Sequence, residues 1–354
     1  MKLFNSVKWK RPSLSILVSI TGIFIIYIWE FIPFIQSKRK YCSHPAVESP
    51  YCNFSVIHTL EGDPTASDIA MNSDAKILVS GGEDKAIKIW DLQTGKLEKT
   101  FSSDSGVINT LAISSDGKTV ITGSGDRIVR IWDITSEKPP QILKSHSGSV
   151  RDVHLSSDGN TIISHSENEV NVWDINTGQL KATLKLPYFR LKDVSLDGKT
   201  VLIQLSNSQL VAWDVPTNQQ NVIPKLSNLS IARLSLDGQK VVGIKRTGKR
   251  NFQLKVFDIK TQEFKAKQRF SRHLFRINNI TFSENVAIGK TPKGLTVWNL
   301  ETAQLEATLN QKNLEDLNRE DFSHLVVSPD GKILAGITGK DYLKNTKIIV
   351  LQRP

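Results

Sequence analysis

Cysteine is nearly absent. The 354-residue chain has two, Cys42 and Cys52, and none after them. That excludes a disulfide framework or a cysteine zinc cluster for the body of the chain. Histidine is sparse as well: apart from His146, the residues His44, His58, His154, His165, His273 and His324 are scattered with no metal-ligand spacing. There is no phosphate loop, because GSGD at 123–126 sits at a hairpin turn and not at a strand-to-helix junction. No calcium loop or paired-carboxylate motif stands out either. Disorder is excluded by a composition that is 39% hydrophobic and 23% charged, enough to bury a core.

Long apolar runs are confined to one segment. Leu14 to Trp29 carries no charge, and apolar character resumes after Glu30 as FIPFI. Leu14 to Ile35 would span roughly 33 Å as a helix, against a bilayer core of about 30 Å. Trp9, Tyr27 and Trp29 stand where interfacial aromatics sit. A cleaved signal peptide is the competing reading. Lys38, Arg39 and Lys40 follow the run directly with no small-x-small cleavage site before them, which favours an uncleaved single-pass anchor. Lys2, Lys8, Lys10 and Arg11 precede the span, and the positive-inside bias then favours an extracytoplasmic body. Cys42 and Cys52 either form a disulfide in an oxidising compartment or are two unrelated juxtamembrane thiols. The resulting division is a basic tail at 1–12, a transmembrane helix or signal anchor at 13–36, a linker at 37–52 and one large domain at 53–354.

That domain is periodic. A short apolar run ends in an aromatic and then Asp or Asn at Trp90, Trp132, Trp173, Trp213, Phe257 and Trp298, in steps of 42, 41, 40, 44 and 41 residues. About 40 residues is what one four-stranded propeller blade takes. Upstream of each aromatic lies a turn signal: NSDAK at 72–76, SSDGK at 114–118, SSDGN at 156–160, LDGK at 196–199, LDGQ at 236–239, SEN at 283–285; SPDGK at 328–332 opens a seventh unit that has lost its aromatic. Asp-Gly makes tight turns because Gly takes positive φ and Asp bonds its own backbone. After several aromatics comes another turn and strand, as in QTGKLEKTF and NTGQLKATL. The pattern resembles the WD-repeat family of β-propellers over about residues 53–354. The resemblance implies an all-β fold of seven blades following the N-terminal helix. It also implies closure of the ring by Phe54–Leu60 against Lys347–Leu351, since three residues after Leu351 cannot supply an outer strand.

Two units carry a hydroxyl, an acid and a tryptophan at fixed spacing: Ser80, Asp84, Trp90 and Thr122, Asp126, Trp132. A nucleophilic site would need a base, and neither unit has a histidine. The carboxylates are expected instead to satisfy indole and backbone donors. In the family a His, a Ser or Thr, an Asp and the Trp form such a set. Here the third unit supplies the histidine, as His146 with Ser164, Asn168 and Trp173, its Asp replaced by Asn. Trp213, Phe257 and Trp298 are the corresponding blade positions in the next three units.

Charge is uneven. Of the net +11, residues 1–52 contribute seven Lys or Arg against two acids, and Lys240 to Arg276 hold twelve against two. The hairpin IKRTGKR places Lys245, Arg246, Lys249 and Arg250; the connection KQRFSRHLFR places Lys267, Arg269, Arg272, His273 and Arg276. Both loops would emerge on one face of a propeller, as an anionic docking patch for an acidic protein segment, a phosphorylated ligand or lipid headgroups, or else as a solvated rim. Glu315, Asp316, Glu320 and Asp321 in the connection to the seventh unit allow a partner of mixed charge. Aromatics interleaved with the basic residues are too sparse to favour nucleic acid. The expectation is a membrane-anchored, non-catalytic scaffold that binds protein partners, without cofactor or metal. An enzyme with a ring-centre pocket and an assembly subunit of a membrane complex are the alternatives.

Overall fold

The computed structural model describes residues 55–352, apart from 62, 64, 103–105, 224–225, 227–228, 236–237, 247–250, 272–279, 284–285, 292–293, 300–304, 311–321 and 339–345. The anchor segment, Cys42 and Cys52 therefore lie outside the described residues. Among the described residues no helix is long and apolar enough to cross a membrane.

Every described element is a strand, and the strands form seven four-stranded antiparallel sheets. After β1 (Ser55–Leu60), the first sheet is β2 (Ala66–Met71), β3 (Ile77–Gly82), β4 (Ala86–Asp91) and β5 (Lys96–Ser102). The second is β6 (Ile108–Ile113), β7 (Thr119–Ser124), β8 (Ile128–Asp133) and β9 (Gln141–Lys144); the third is β10 (Asp152–Leu155), β11 (Thr161–His165), β12 (Glu169–Asp174) and β13 (Leu180–Lys185). Next come β14 (Arg190–Val194), β15 (Thr200–Gln204), β16 (Leu210–Asp214) and β17 (Gln219–Ile223), then β18 (Leu229–Leu234), β19 (Lys240–Arg246), β20 (Asn251–Asp258) and β21 (Glu263–Ser271). The sixth sheet is β22 (Ile280–Ser283), β23 (Val286–Thr291), β24 (Gly294–Asn299) and β25 (Leu305–Asn310). The last has β26 (Phe322–Val327), β27 (Ile333–Thr338) and β28 (Lys347–Gln352), with β1 as its outer strand: Ser55 lies opposite Gln352 and Leu60 opposite Ile348.

The turn joining the first two strands of most sheets is built by local chemistry. Ser114 Oγ accepts from Thr119 N at 2.9 Å and donates to Asp116 at 2.6 Å, while Gly117 takes φ 73°. Ser156, Ser195 and Ser328 repeat both bonds with Asp158, Asp197 and Asp330. In the first sheet Asn72 replaces the serine, accepting Ile77 N at 2.9 Å.

Both faces of each sheet are apolar because a blade packs on a neighbour at each side. Val79 and Ile89 meet Leu111, Val120 and Trp132 of the second sheet, whereas Leu78 and Trp90, one residue along, meet Ile337, Ile348 and Val350 of the last. Trp173 packs on the second sheet, Trp213 on the third and Phe257 on the fourth. From the first sheet to the fifth, the repeated aromatic is thus the side chain that packs on the neighbouring sheet before it. Burying it contributes on the order of 2–3 kcal/mol of transfer free energy per interface.

Candidate functional site

An indole must donate, and in the first three sheets it donates to a buried hydroxyl: Trp90 to Ser80 Oγ at 2.9 Å, Trp132 to Thr122 Oγ1 at 3.0 Å, Trp173 to Ser164 Oγ at 2.8 Å. The turn carboxylates do something else. Asp84 binds Ala86 N at 3.1 Å and the Lys88 ammonium; Asp126 binds Ile128 N at 3.1 Å and clamps Arg130 through both oxygens. Burial works against the Asp126 charge, yet Arg130 outweighs it and holds the carboxyl below its ordinary value. Likewise burial opposes the Lys88 charge, and Asp84 and Asp63 overcome it.

Two residues of these sets were not legible in advance. Asp63, in the segment before β2, accepts from Ser80 Oγ and from Lys88 Nζ, the latter at 2.9 Å, where the family places its histidine. In the third sheet the acid is Glu169 and not Asn168. His146 Nδ1 lies 3.1 Å from Glu169 Oε1, and His146 Nε2 lies 2.6 Å from Ser164 Oγ. The ionised Glu169 can only accept, so Nδ1 carries the imidazole proton, and Nε2 of the neutral ring accepts the Ser164 hydroxyl proton. Burial lowers the His146 pKa against the pull of Glu169, so the relay holds a neutral imidazole. Trp213 leaves the pattern and donates to Asn218 Oδ1 at 3.0 Å in the next turn; Phe257 has no N–H and meets Phe264 edge-on at 5.3 Å. Trp298 lies in β24. Trp298 apart, these residues are structural partners within the propeller.

The basic sector is distributed differently from the two-loop expectation. Lys245 and Arg246 end β19, and Lys267 and Arg269 lie within β21, because that strand runs on to Ser271. Register sets Lys245 opposite Gln253, Gln253 opposite Arg269 and Lys255 opposite Lys267. Lys249, Arg250, Arg272, His273 and Arg276 lie outside the described residues.

The described residues bring other polar groups together, on the innermost strands. β2, β6, β10, β14, β18 and β26 line one channel of about 530 Å³. Polar side chains staple three of these strands to the next: Asp68 accepts Leu111 N at 2.9 Å, Thr110 at the same register accepts Val153 N at 3.3 Å, and Asp193, two residues nearer its turn, accepts Leu234 N at 2.7 Å. Asp152 and His154 face each other at 3.4 Å. Burial would discharge both, but each counters it for the other, so the Asp152 carboxyl is held low and the His154 imidazole high. Their side chains remain 44% and 30% accessible although protein surrounds them, because they project into a channel and not into a core. Crowding by burial raises Asp68 and Asp193, against the opposing pull of His324 on the first and Arg233 on the second.

Arg151 and Asp152 also border a cleft between the third and fourth sheets, together with His165, Glu167, Phe189 and Arg190. Tyr188, in the connection from β13 to β14, is 83% exposed and holds a left-handed φ of 54°. It separates this cleft from a second one lined by Ser147, Lys185 and Pro187. A bulky residue at positive φ is strained by roughly 1–2 kcal/mol, and here the strain holds an aromatic ring out over two grooves. His165 is only 8% exposed, its Nε2 has no hydrogen-bond partner, and its ring meets Phe189 edge-on at 5.3 Å.

Repeated four-stranded antiparallel sheets, tryptophan–hydroxyl sets and a channel lined by innermost strands are those of a β-propeller and are consistent with the WD-repeat type. Within it, residues 58–170 match the family model described as the NWD2 C-terminal beta-propeller, a stretch running from β1 into β12. No curated protein matches the chain.

Proposed function

We propose that this chain is a seven-bladed, non-catalytic protein-docking module, held at a membrane by Leu14–Ile35, with its docking site at the mouth of the channel over the third and fourth sheets. The observation that carries the reading is Tyr188, a large aromatic kept in solvent by a strained backbone between two clefts. Aromatic anchors surrounded by grooves are what protein interfaces concentrate their energy on, and rigid scaffolds display them on loops. An anchor on the adjoining membrane would raise the local concentration of membrane-associated partners. The propeller is assigned to the extracytoplasmic side on the charge bias of the flanks.

The enzyme alternative draws on the convergence of Asp68, Asp152, His154, Asp193 and His324 in one channel. Those acids are already engaged, by backbone N–H groups or by His154, which supports docking better than proton transfer. A photo-crosslinking phenylalanine analogue at position 188 of the full chain, in native membranes, should give a discrete protein adduct. The same probe at Leu97, exposed on β5, should not. Absence of any adduct at 188 removes the docking site, and release of the full chain by alkaline carbonate removes the anchor.

A further inference from the structure

At the mouth of the channel β14 carries two cations that no carboxylate pairs among the described residues. Arg190 and Lys192 lie two residues apart on β14, and Arg233 of β18 donates from its guanidinium to the Lys192 carbonyl, tying the two strands together. Lys192 is partly buried in the channel wall. Burial and the charges of Arg190 and Arg233 disfavour its ammonium, and among the described residues no carboxylate pairs with Lys192 or Arg190. Arg233 favours the charged forms of Asp152 and Asp193, so Arg190 and Lys192 are the cations left without a carboxylate. A desolvated cation between two others raises the free energy of the empty state, and an incoming anion relieves it.

A second, independent feature points the same way. His165, more than nine-tenths buried, lines the adjoining cleft and leaves its Nε2 without a partner. Resting on the docking reading above, we propose that Arg190 and Lys192, on a strand braced by Arg233, form a receptor for the side-chain carboxylates of an acidic partner segment, which enters the channel mouth beside Tyr188. A segment of extended chain reaches into the cleft that Tyr188 borders, and carboxylates at alternate positions, which share one face of such a chain, can meet the two cations through charge-assisted hydrogen bonds.

Fluorescein-labelled hexaglutamate is the probe, titrated onto the full chain in detergent at low salt, with hexaserine and phosphorylated hexaserine for comparison. Hexaglutamate should bind in preference to hexaserine, and the Arg190→Gln/Lys192→Gln double variant should bind it at least tenfold more weakly. Lys192→Arg, which keeps the charge, should restore binding when paired with native Arg190, excluding a folding defect as the cause. Unchanged affinity in the double variant overturns the receptor. A tenfold preference for the phosphorylated peptide overturns the carboxylate assignment. If Tyr188 yields an adduct while the double variant leaves hexaglutamate binding unaltered, the docking face stands and only the carboxylate site falls. Loss of the adduct with retained, charge-dependent peptide binding has the opposite meaning.

Discussion

His165 places an imidazole among apolar neighbours with one ring nitrogen unpartnered, and burial lowers its pKa to about 4, aided by the nearby Arg151 charge against the pull of Asp152. In the unfolded chain the same group titrates near 6.5. Between those values the unfolded state binds the extra proton, so stability rises with pH across the window and is lost as pH falls from about 6.5 towards 4. The two pKa values correspond to about 3 kcal/mol at most across the full window. His165→Phe keeps an edge contact with Phe189 and has nothing to titrate. Its urea midpoint should therefore change less between pH 7.5 and pH 5 than that of the native chain. His146, also lowered by burial, leaves a residual slope in both. Equal slopes in the two proteins would mean that His165 is not held neutral by the fold.

Among the described turns between first and second strands, the left-handed glycine recurs in five sheets and is replaced in the first. Gly117, Gly159, Gly198, Gly238 and Gly331 occupy the left-handed position, at φ between 66° and 73°. The first sheet has Ala75 there, at φ 56°. A Cβ in that conformation costs roughly 1 kcal/mol, more than the added chain entropy of glycine in the unfolded state. Ala75→Gly should stabilise the propeller by about 0.5 kcal/mol, read as a higher urea midpoint with unchanged slope; a lower midpoint refutes strain at this turn. The contrast marks what sequence carries. The turns were legible because serine, aspartate and glycine act within five residues of one another. The blade aromatics were legible because each sits at the same point of a repeated strand. The acid of the third sheet was misplaced by one residue because Ser164 and Trp173 are nine apart where Ser80 and Trp90 are ten. That shorter hairpin draws the carboxylate from the first residue of β12, Glu169, and not from the turn. Asp63 gave no periodic signal, although the cations Lys88 and Arg130, four residues after Asp84 and Asp126, did. The cleft beside Tyr188 was illegible for a different reason. Arg151, His165 and Arg190 come from three separate strands or their flanks, and only the packing of the third sheet on the fourth brings them to one place.

For the molecule as a whole, the decisive contact joins the two ends of the propeller sequence. β1 supplies the outer strand of a sheet whose other three strands come from residues 322–352, which leaves no unpaired edge at that seam. Leu60, 1% exposed, packs with Leu78 and Trp90 of the first sheet and with Ile348 and Val350 of the last; Thr346 Oγ1 reaches the Asp63 carbonyl at 3.1 Å beside it. Contacts so distant in sequence carry the largest loop-closure cost, so they form after the local hairpins have been made. A side chain that acts late stabilises the native ring without stabilising the transition state for making it. Leu60→Ala removes buried methyl groups and leaves a cavity, a change worth about 2–5 kcal/mol. That loss should be expressed as faster unfolding with little change in refolding rate. Stopped-flow tryptophan fluorescence in urea separates the two limbs, with Val79→Ala, inside the first blade pair, as the comparison for early contacts. A Leu60→Ala variant that refolds slowly and unfolds at the native rate would place the seam in the folding nucleus, and closure would then organise the blades instead of completing them.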